Sequence, residues 1–397
     1  MSSVEELTVV LEHDIDEQYQ YQPGEVLRGN IRIKAARPTA LRTITIRVVG
    51  EGNVSWKDEE GDSRSPINQA EEKYVDVSKI VLETKNQNPR NLQPGYTNFP
   101  FEYQLPENLP SSYIGKFGNV TYTIKCTVTG VKSIDTSITS EPFLVLRRSP
   151  LPESAKEEMT LQQEKRLWGS CTFGKISARL NMESRGGVPG EDLFMHAEIK
   201  NHSQRTVTAM QAALVMLSTY HARNKSTSFR QIVSKKRDEF DVEHNEGRRW
   251  NFVRLTLPPY IPETRLEYCD IIEIHYVMQF RVEISGGTEL KMESPILIGS
   301  HLPGETAHRR GEGAAPSINN HWTMRGTKGL PMGDEDGYAG DLGEPQNHWG
   351  AVTGVPELRG DQVVINNPLF RQGSHVTKPT RDLVRDRPQE LMENTRL

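Results

Sequence analysis

Apolar and polar side chains alternate one by one along most of the first 300 residues. Ile44, Ile46 and Val48 are interleaved with Thr43, Thr45 and Arg47. Val120, Tyr122, Ile124, Cys126 and Val128 are interleaved with Thr121, Thr123, Lys125 and Thr127. The longest run passes through Ile272, Ile274, Tyr276, Met278, Phe280, Val282 and Ile284, with Glu273, His275, Gln279, Arg281 and Glu283 between them and Val277 the one apolar exception. Successive side chains of a strand point to opposite sheet faces, so these runs read as half-buried antiparallel strands. Pro and Gly punctuate them at Pro23-Gly24, Pro94-Gly95, Pro189-Gly190, Pro258-Pro259 and Gly286-Gly287. Such spacing predicts an all-β chain of immunoglobulin-like antiparallel sandwiches. Helical periodicity is nearly absent, and its best candidate is Glu153 to Leu167.

One phrase occurs twice. Pro23-Gly24-Glu25-x-Leu27 runs on to Ile33-Lys34, and Pro189-Gly190-Glu191-x-Leu193 runs on to Ile199-Lys200, 166 residues later at every matched position. A second echo leads a Pro-containing loop into a strand at Leu109–Val128 and again at Ile261–Ile284. A period of 20–50 residues would indicate a solenoid. This period indicates two tandem copies of one sandwich. The boundaries follow as a first sandwich over 1–148, a Pro-, Glu- and Lys-rich linker over 149–167, a second sandwich over 168–300 opened by Trp168, and a tail over 301–397. In the tail the apolar pattern vanishes. Little apolar surface is left to offset the entropy of ordering, which predicts a disordered segment.

Composition narrows the function. The 397 residues are 35% hydrophobic and 25% charged, with a net charge of −5 and a sequence pI of about 6.2, which argues against a nucleic-acid binder. The mean hydropathy of −0.61 fits a chain that is only partly packed. The first residues carry neither a basic n-region nor an apolar h-region, no stretch reaches the roughly 18 apolar residues of a membrane span, and no lipidation signal is present. The expected location is therefore cytoplasmic. Cys126, Cys171 and Cys269 are widely spaced without CxxC or His partners and read as structural thiols, not as a disulfide or metal set. The sequons at Asn53, Asn119, Asn201 and Asn224 read as chance matches without an export signal. No GxSxG elbow, P-loop or HExxH occurs. His275 falls on the polar side of its strand with no Asp or Cys at useful spacing, so no catalytic residue, cofactor or metal is expected.

Several segments agree with a known architecture. Tyr21-Gln-Pro-Gly-Glu25 leads into Gly29-x-Ile31, and Ile46-Arg-Val-Val-Gly-Glu-Gly52 is followed by Trp56. Leu257-Pro-Pro, Cys269-Asp-Ile-Ile-x-Ile-x-Tyr276 and Pro295-Ile-x-Ile-Gly-Ser300 close the second half. Their order and spacing over about residues 5–300 resemble the arrestins. The closest likeness is to the α-arrestins, the arrestin domain-containing proteins. The resemblance implies a non-catalytic adaptor that links membrane receptors or transporters to endocytic, sorting or ubiquitination proteins and is recruited peripherally to plasma membrane or endosomes. It also implies a PPxY motif for WW-domain ubiquitin ligases, which the tail lacks. The sole Pro-Pro pair, Pro258-Pro259, has Tyr260 one position early and inside the second sandwich. Two other readings stay open: a retromer-like structural coat subunit, and a thioredoxin-linked redox regulator acting through an exposed cysteine.

Recognition candidates follow. Arg28, Arg32, Lys34, Arg42 and Arg47 recur on the polar faces of early strands, where a concave sheet could pair them with acidic or phosphorylated cargo. Arg147-Arg148 and Lys235-Lys-Arg237 are further basic runs suited to anionic lipid. The segment from Trp56 to Tyr74, with Lys57 and Arg64, falls where arrestins place a receptor-contacting loop. In the tail, Val363 to Phe370 is the one apolar island, and Asn367, Pro368, Leu369 and Phe370 could dock on a coat protein or fold back as a strand on the first sandwich. Thr395 and Leu397 have the spacing of a PDZ ligand, with Leu397 in the pocket and Thr395 facing the groove.

Overall fold

The duplicated phrase folds into the same turn twice. Gly24 and Gly190 both adopt positive φ, at 79° and 92°. In the first copy Glu25 N–H donates to Gln22 O at 3.0 Å, and in the second Glu191 N–H donates to Val188 O at 3.1 Å. A Pro followed by a left-handed Gly, closed by a bond between first and fourth residues, is the type II turn, which disfavours any side chain at the Gly. The flanking chain repeats as well: Gly24 N–H reaches Pro106 O, and Gly190 N–H reaches Leu257 O.

The computed structural model describes residues 4–12, 20–58, 67–84, 89–131, 136–168, 173–258 and 261–301, together with the backbone of 357–359 and 362–364. The first sandwich comprises β1 (Val4–Leu11), β2 (Gln20–Tyr21), β3 (Val26–Ala35), β4 (Thr39–Trp56), β5 (Asn68–Glu83), β6 (Arg90–Leu92), β7 (Gly95–Gln104), β8 (Tyr113–Ile114), β9 (Gly118–Gly130) and β10 (Thr136–Val145). Its small sheet has the order β1-β3-β7, and its large sheet β2-β10-β9-β4-β5, with β6 beside β4 and β8 beside β9. The second comprises β11 (Met159–Trp168), β12 (Phe173–Met182), β13 (Gly186–Gly187), β14 (Asp192–His202), β15 (Val207–Ala222), β16 (Lys225–Val242), β17 (Gly247–Thr256), β18 (Ile272–Ile284) and β19 (Thr288–Ile298). Its sheets run β11-β12-β14-β17 and β13-β19-β18-β15-β16. β3 and β14, which follow the two turns, occupy the same interior place in the two small sheets. β9 and β18, the later echo, do so in the large ones.

The alternation settles which face is inside. Leu27, Ile31 and Ile33 of β3 are fully buried, as are Ile44 and Ile46 of β4 and Ile124 and Cys126 of β9. In the second sandwich the inner row of β18, from Ile272 to Ile284, is buried throughout. Burial of such rows on two facing sheets supplies the main stabilisation at about 25 cal/mol per Å² of apolar surface.

Two boundaries differ from the sequence reading. The linker predicted over 149–167 contains β11, which pairs antiparallel with β12 from Met159↔Met182 to Trp168↔Phe173. The second sandwich therefore begins at Met159, not Trp168. The helical candidate Glu153–Leu167 yields only one 3-10 turn at Glu153–Lys156. β11 is an edge strand whose inward positions include Gln163 and Lys165, so its alternation is faint. In the tail the described element is a two-stranded ladder of β20 (Glu357–Arg359) and β21 (Gln362–Val364).

Candidate recognition surfaces and the interdomain seam

The two sandwiches meet along a seam rich in hydroxyl groups. Tyr113 of β8 hydrogen-bonds with Ser218 Oγ at 2.8 Å and with Tyr220 Oη at 3.2 Å, all three buried. Phe117 meets the Tyr220 ring edge-on at 5.6 Å, and Lys116 Nζ lies 4.5 Å from the Phe229 ring centroid. Ser111 Oγ donates to Glu263 Oε1 at 2.6 Å and accepts the Arg147 N–H at 2.9 Å. Burial pushes the Glu263 carboxyl above its ordinary range, and the Ser111 hydrogen bond draws it back. Arg147 Nε donates to Glu267 at 3.0 Å while its guanidinium covers the Tyr268 ring at 4.2 Å.

β5 closes the other side of the seam. Glu72 accepts the Asp270 N–H at 3.0 Å, and Tyr74 Oη donates to Cys269 Sγ at 3.1 Å. Lys225 Nζ pairs with Asp58 Oδ2 at 2.5 Å, and this hydrogen bond is the main reason the Asp58 carboxyl sits below its usual range. A polar interface with its groups satisfied from both sides fixes one relative orientation, because sliding would leave buried donors and acceptors unpaired. This site was not legible in the sequence, since its members are scattered singly through both halves.

The cationic candidates do not converge. Arg28, Arg32 and Lys34 lie on the outer face of the small sheet, whereas Arg42 and Arg47 lie on the large sheet, whose outer face turns the other way. Most are already paired. Arg47 makes a bidentate bridge to Asp76 at 2.5 and 2.6 Å. Arg42 donates to Val131 O at 3.0 Å, Arg28 stands 3.9 Å from Glu102, and Lys34 pairs with Glu5 at 3.1 Å. Arg32 differs: its guanidinium covers the Tyr96 ring at 4.2 Å and forms no ion pair among the described residues. Arg237, in the second sandwich, is held by Glu239 and Glu283.

Trp56 corrects the loop reading. It is buried at the end of β4 and cannot face a partner, and Tyr74 belongs to β5 and the seam. Lys57 is exposed at the start of the loop between β4 and β5. Arg64 lies outside the described residues, as do Asn367, Pro368, Leu369, Phe370, Thr395, Leu397 and Cys171. The Asn201 side-chain amide is fully buried and donates to Arg205 O and Val242 O, so that sequon cannot carry a glycan.

The thiols bear on the redox reading. Burial pushes the Cys126 thiol up to about 12. Cys269 is also raised, chiefly by burial, with the Tyr74 hydrogen bond pulling it back. Neither has the depressed value of a reactive thiol. Among the described residues no group of His, Cys, Asp and Glu is arranged to hold a metal, and no helix is long and apolar enough to cross a membrane.

Comparison with known proteins agrees with the duplicated architecture. Residues 9–150 match the family described as Arrestin (or S-antigen), N-terminal domain, and residues 172–303 match Arrestin (or S-antigen), C-terminal domain. The chain is 29% identical over 309 residues to arrestin domain-containing protein 4 of Mus musculus, covering 75% of this chain and 73% of that protein. It is 27% identical over 289 residues to the Homo sapiens protein of the same name, at 70% and 68% coverage. To arrestin domain-containing protein 1 of Homo sapiens it is 26% identical over 308 residues, at 75% and 66% coverage. With both arrestin domains present in tandem and arrestin domain-containing proteins 1 and 4 among its relatives, the chain belongs to the α-arrestin family.

Proposed function

We propose that the protein is a non-catalytic cytoplasmic adaptor that binds the cytoplasmic segments of membrane receptors or transporters and passes them to endocytic or sorting proteins. The observation that carries this reading is the seam. Two sandwiches bonded through Ser111–Glu263, Tyr113–Ser218 and Asp58–Lys225 form one body that can present a partner surface without rearranging. Preorganisation of this kind lowers the cost of association.

Cargo contact is best supported at Arg32 and Tyr96 on the small sheet. An exposed guanidinium with no carboxylate partner among the described residues offers its fork to a phosphate or acidic side chain, and the ring beneath keeps it oriented. Arg28 and Lys34 on the same strand add positive field. Recruitment of sorting proteins falls to the tail, through Val363–Phe370 and a PDZ-type end at Thr395 and Leu397. A ubiquitin ligase would need a route other than PPxY, since these 397 residues contain none.

Proximity labelling in cells tests the division of labour. The full chain and a version ending at Ser300 should label the same membrane proteins, but only the full chain should label endocytic and sorting proteins. Identical partner sets from both would overturn the assignment of recruitment to the tail.

A further inference from the structure

The outer face of the sheet β11-β12-β14-β17 carries an aromatic platform. Phe252 of β17 is 59% exposed and stacks on Phe194 of β14 at 4.6 Å with an interplanar angle of 21°. His196 stands beside it at 6.0 Å, and its Nδ1 accepts the Phe252 N–H at 3.2 Å. The cause is a bulge. The register between β14 and β17 slips at Met195/Ala197, and Phe252 takes a φ of 53°. A bulky side chain is an outlier in the left-handed region, which the surrounding ladder must hold in place. Here the strained residue presents its ring to solvent instead of filling the core.

The same face is basic. Arg166 and Lys175 are cross-strand neighbours in the β11–β12 ladder. Arg179 and Arg249 both lie opposite Glu198, but only Arg249, with Lys200, pairs with that carboxylate, while Arg179 Nε donates to Asn181 Oδ1 at 2.9 Å. Arg254, opposite Phe194, has a 75% exposed side chain and stands 3.9 Å from its nearest carboxylate, Asp192. With Lys200 included, six cations stand among the four carboxylates Glu164, Glu183, Asp192 and Glu198, Glu183 lying 4.0 Å from His196.

The chain holds a segment of matching chemistry. From Gly329 to Leu358 there is no Lys or Arg, while Asp334, Glu335, Asp336, Asp341 and Glu344 are acidic and Tyr338 and Trp349 are aromatic. We propose that residues 334–349 dock intramolecularly on this face, with an aromatic ring against Phe252 and Phe194 and carboxylates toward Arg254 and Arg179. Asp334 lies 33 positions beyond His301, the last residue of the described second sandwich. A Gly-rich connection of that length spans roughly 30 Å, comparable to the sandwich itself. Tethering sets the effective concentration in the millimolar range, so a weak contact suffices. Docking is by side chains and not by strand addition, because the bulge at Phe252 interrupts the β17 edge.

Photo-cross-linking in the full-length protein tests this. A benzoylphenylalanine replaces Phe252 in one version and Thr160, on the same face, in a second that leaves the platform intact. Cross-linked peptides are mapped by mass spectrometry in a mixture of isotopically light and heavy chains. At least one position should give light–light and heavy–heavy links to residues 330–352. Their yield should fall at least fivefold with Asp334→Asn, Glu335→Gln and Asp336→Asn combined, and again in 0.5 M salt, about the ionic strength at which exposed charges are screened. Links confined to another part of the tail, mixed light–heavy links, yield insensitive to the acidic residues, or no link at either position would each overturn the proposal. None of these outcomes bears on whether the protein recruits sorting proteins, which the truncation experiment reads separately.

Discussion

Ser111 of the first sandwich and Glu263 of the second share a hydrogen bond of 2.6 Å across the seam, with both side chains buried. Arg147, Glu267 and Tyr276 are the other titratable groups acting around them. Burial penalises the ionised form of Glu263, so the folded protein binds this proton more tightly than the unfolded chain. The stabilising contribution is fully present below the ordinary glutamate value of 4.5 and declines as pH rises through the raised folded value. Glu263→Gln keeps an acceptor for Ser111 and removes the charge. Relative to wild type, the variant should gain stability, read as a rising difference in Tm, as pH climbs from the ordinary glutamate value through the raised folded one. Subtracting the two profiles cancels Glu141, whose carboxyl burial pushes up to about 7, and the depressed Asp76 and Glu198, which act with the opposite sign. A flat difference profile would rule out Glu263 as a titrating group of the seam.

Gly115 lies where the seam is tightest. A Cβ built there would overlap the hydroxyls of both Tyr113 and Tyr220. Gly115→Ala should therefore cost more than Tyr113→Phe, which removes one hydroxyl and its hydrogen bonds to Ser218 and Tyr220 for about 1–2 kcal/mol. Urea unfolding gives the ranking. Hydrogen exchange at residues 113–118 and 217–221 should rise in both variants, and a Gly115→Ala protein as stable as wild type would show that the hydroxyls have room to move apart.

Much of this was legible in the chain. The period-two rows of β4, β9 and β18 gave strand positions and buried faces, because one face of each is apolar without interruption. The repeated Pro-Gly-Glu phrase marked two equivalent turns, because only a left-handed Gly after Pro closes them. β11 was missed because Gln163 and Lys165 occupy its inward positions at a sheet edge. The seam was missed because Ser111, Tyr113, Ser218 and Glu263 are single polar residues, and their meaning arises only when two sandwiches bring residues more than a hundred positions apart into contact. The five early cations looked like one patch because alternation reports the face of a strand and not the sheet it joins.

Thiol chemistry tests the redox reading at the two described cysteines. With its thiol near 12, Cys126 is ionised at pH 8 in about one molecule in 10⁴, and thiolate is the reacting form. Native protein at pH 8 should leave Cys126 unlabelled by iodoacetamide while an unfolded control reacts fully, with Cys269 intermediate. Rapid labelling of Cys126 in the folded state, read by mass spectrometry, would contradict the burial shown for β9.

Arg32 and Arg47 make the sharpest contrast for cargo. Both are exposed, but Arg47 is committed to Asp76 through two hydrogen bonds, whereas Arg32 lies on Tyr96 with its fork open. Arg47→Ala should change stability little, as loss of an exposed bridge does, and leave cargo affinity unchanged. Arg32→Ala should leave stability within about 0.5 kcal/mol and weaken binding of an acidic or phosphorylated cytoplasmic peptide about tenfold, the equivalent of one charge-assisted hydrogen bond near 1.4 kcal/mol. Arg32→Lys restores the charge without the planar fork and should recover only part of the affinity. Calorimetric titration of one peptide against all three variants decides the point. If Arg47→Ala loses cargo and Arg32→Ala does not, recognition belongs to the large sheet, and the paired state of Arg47 is what a phosphate displaces.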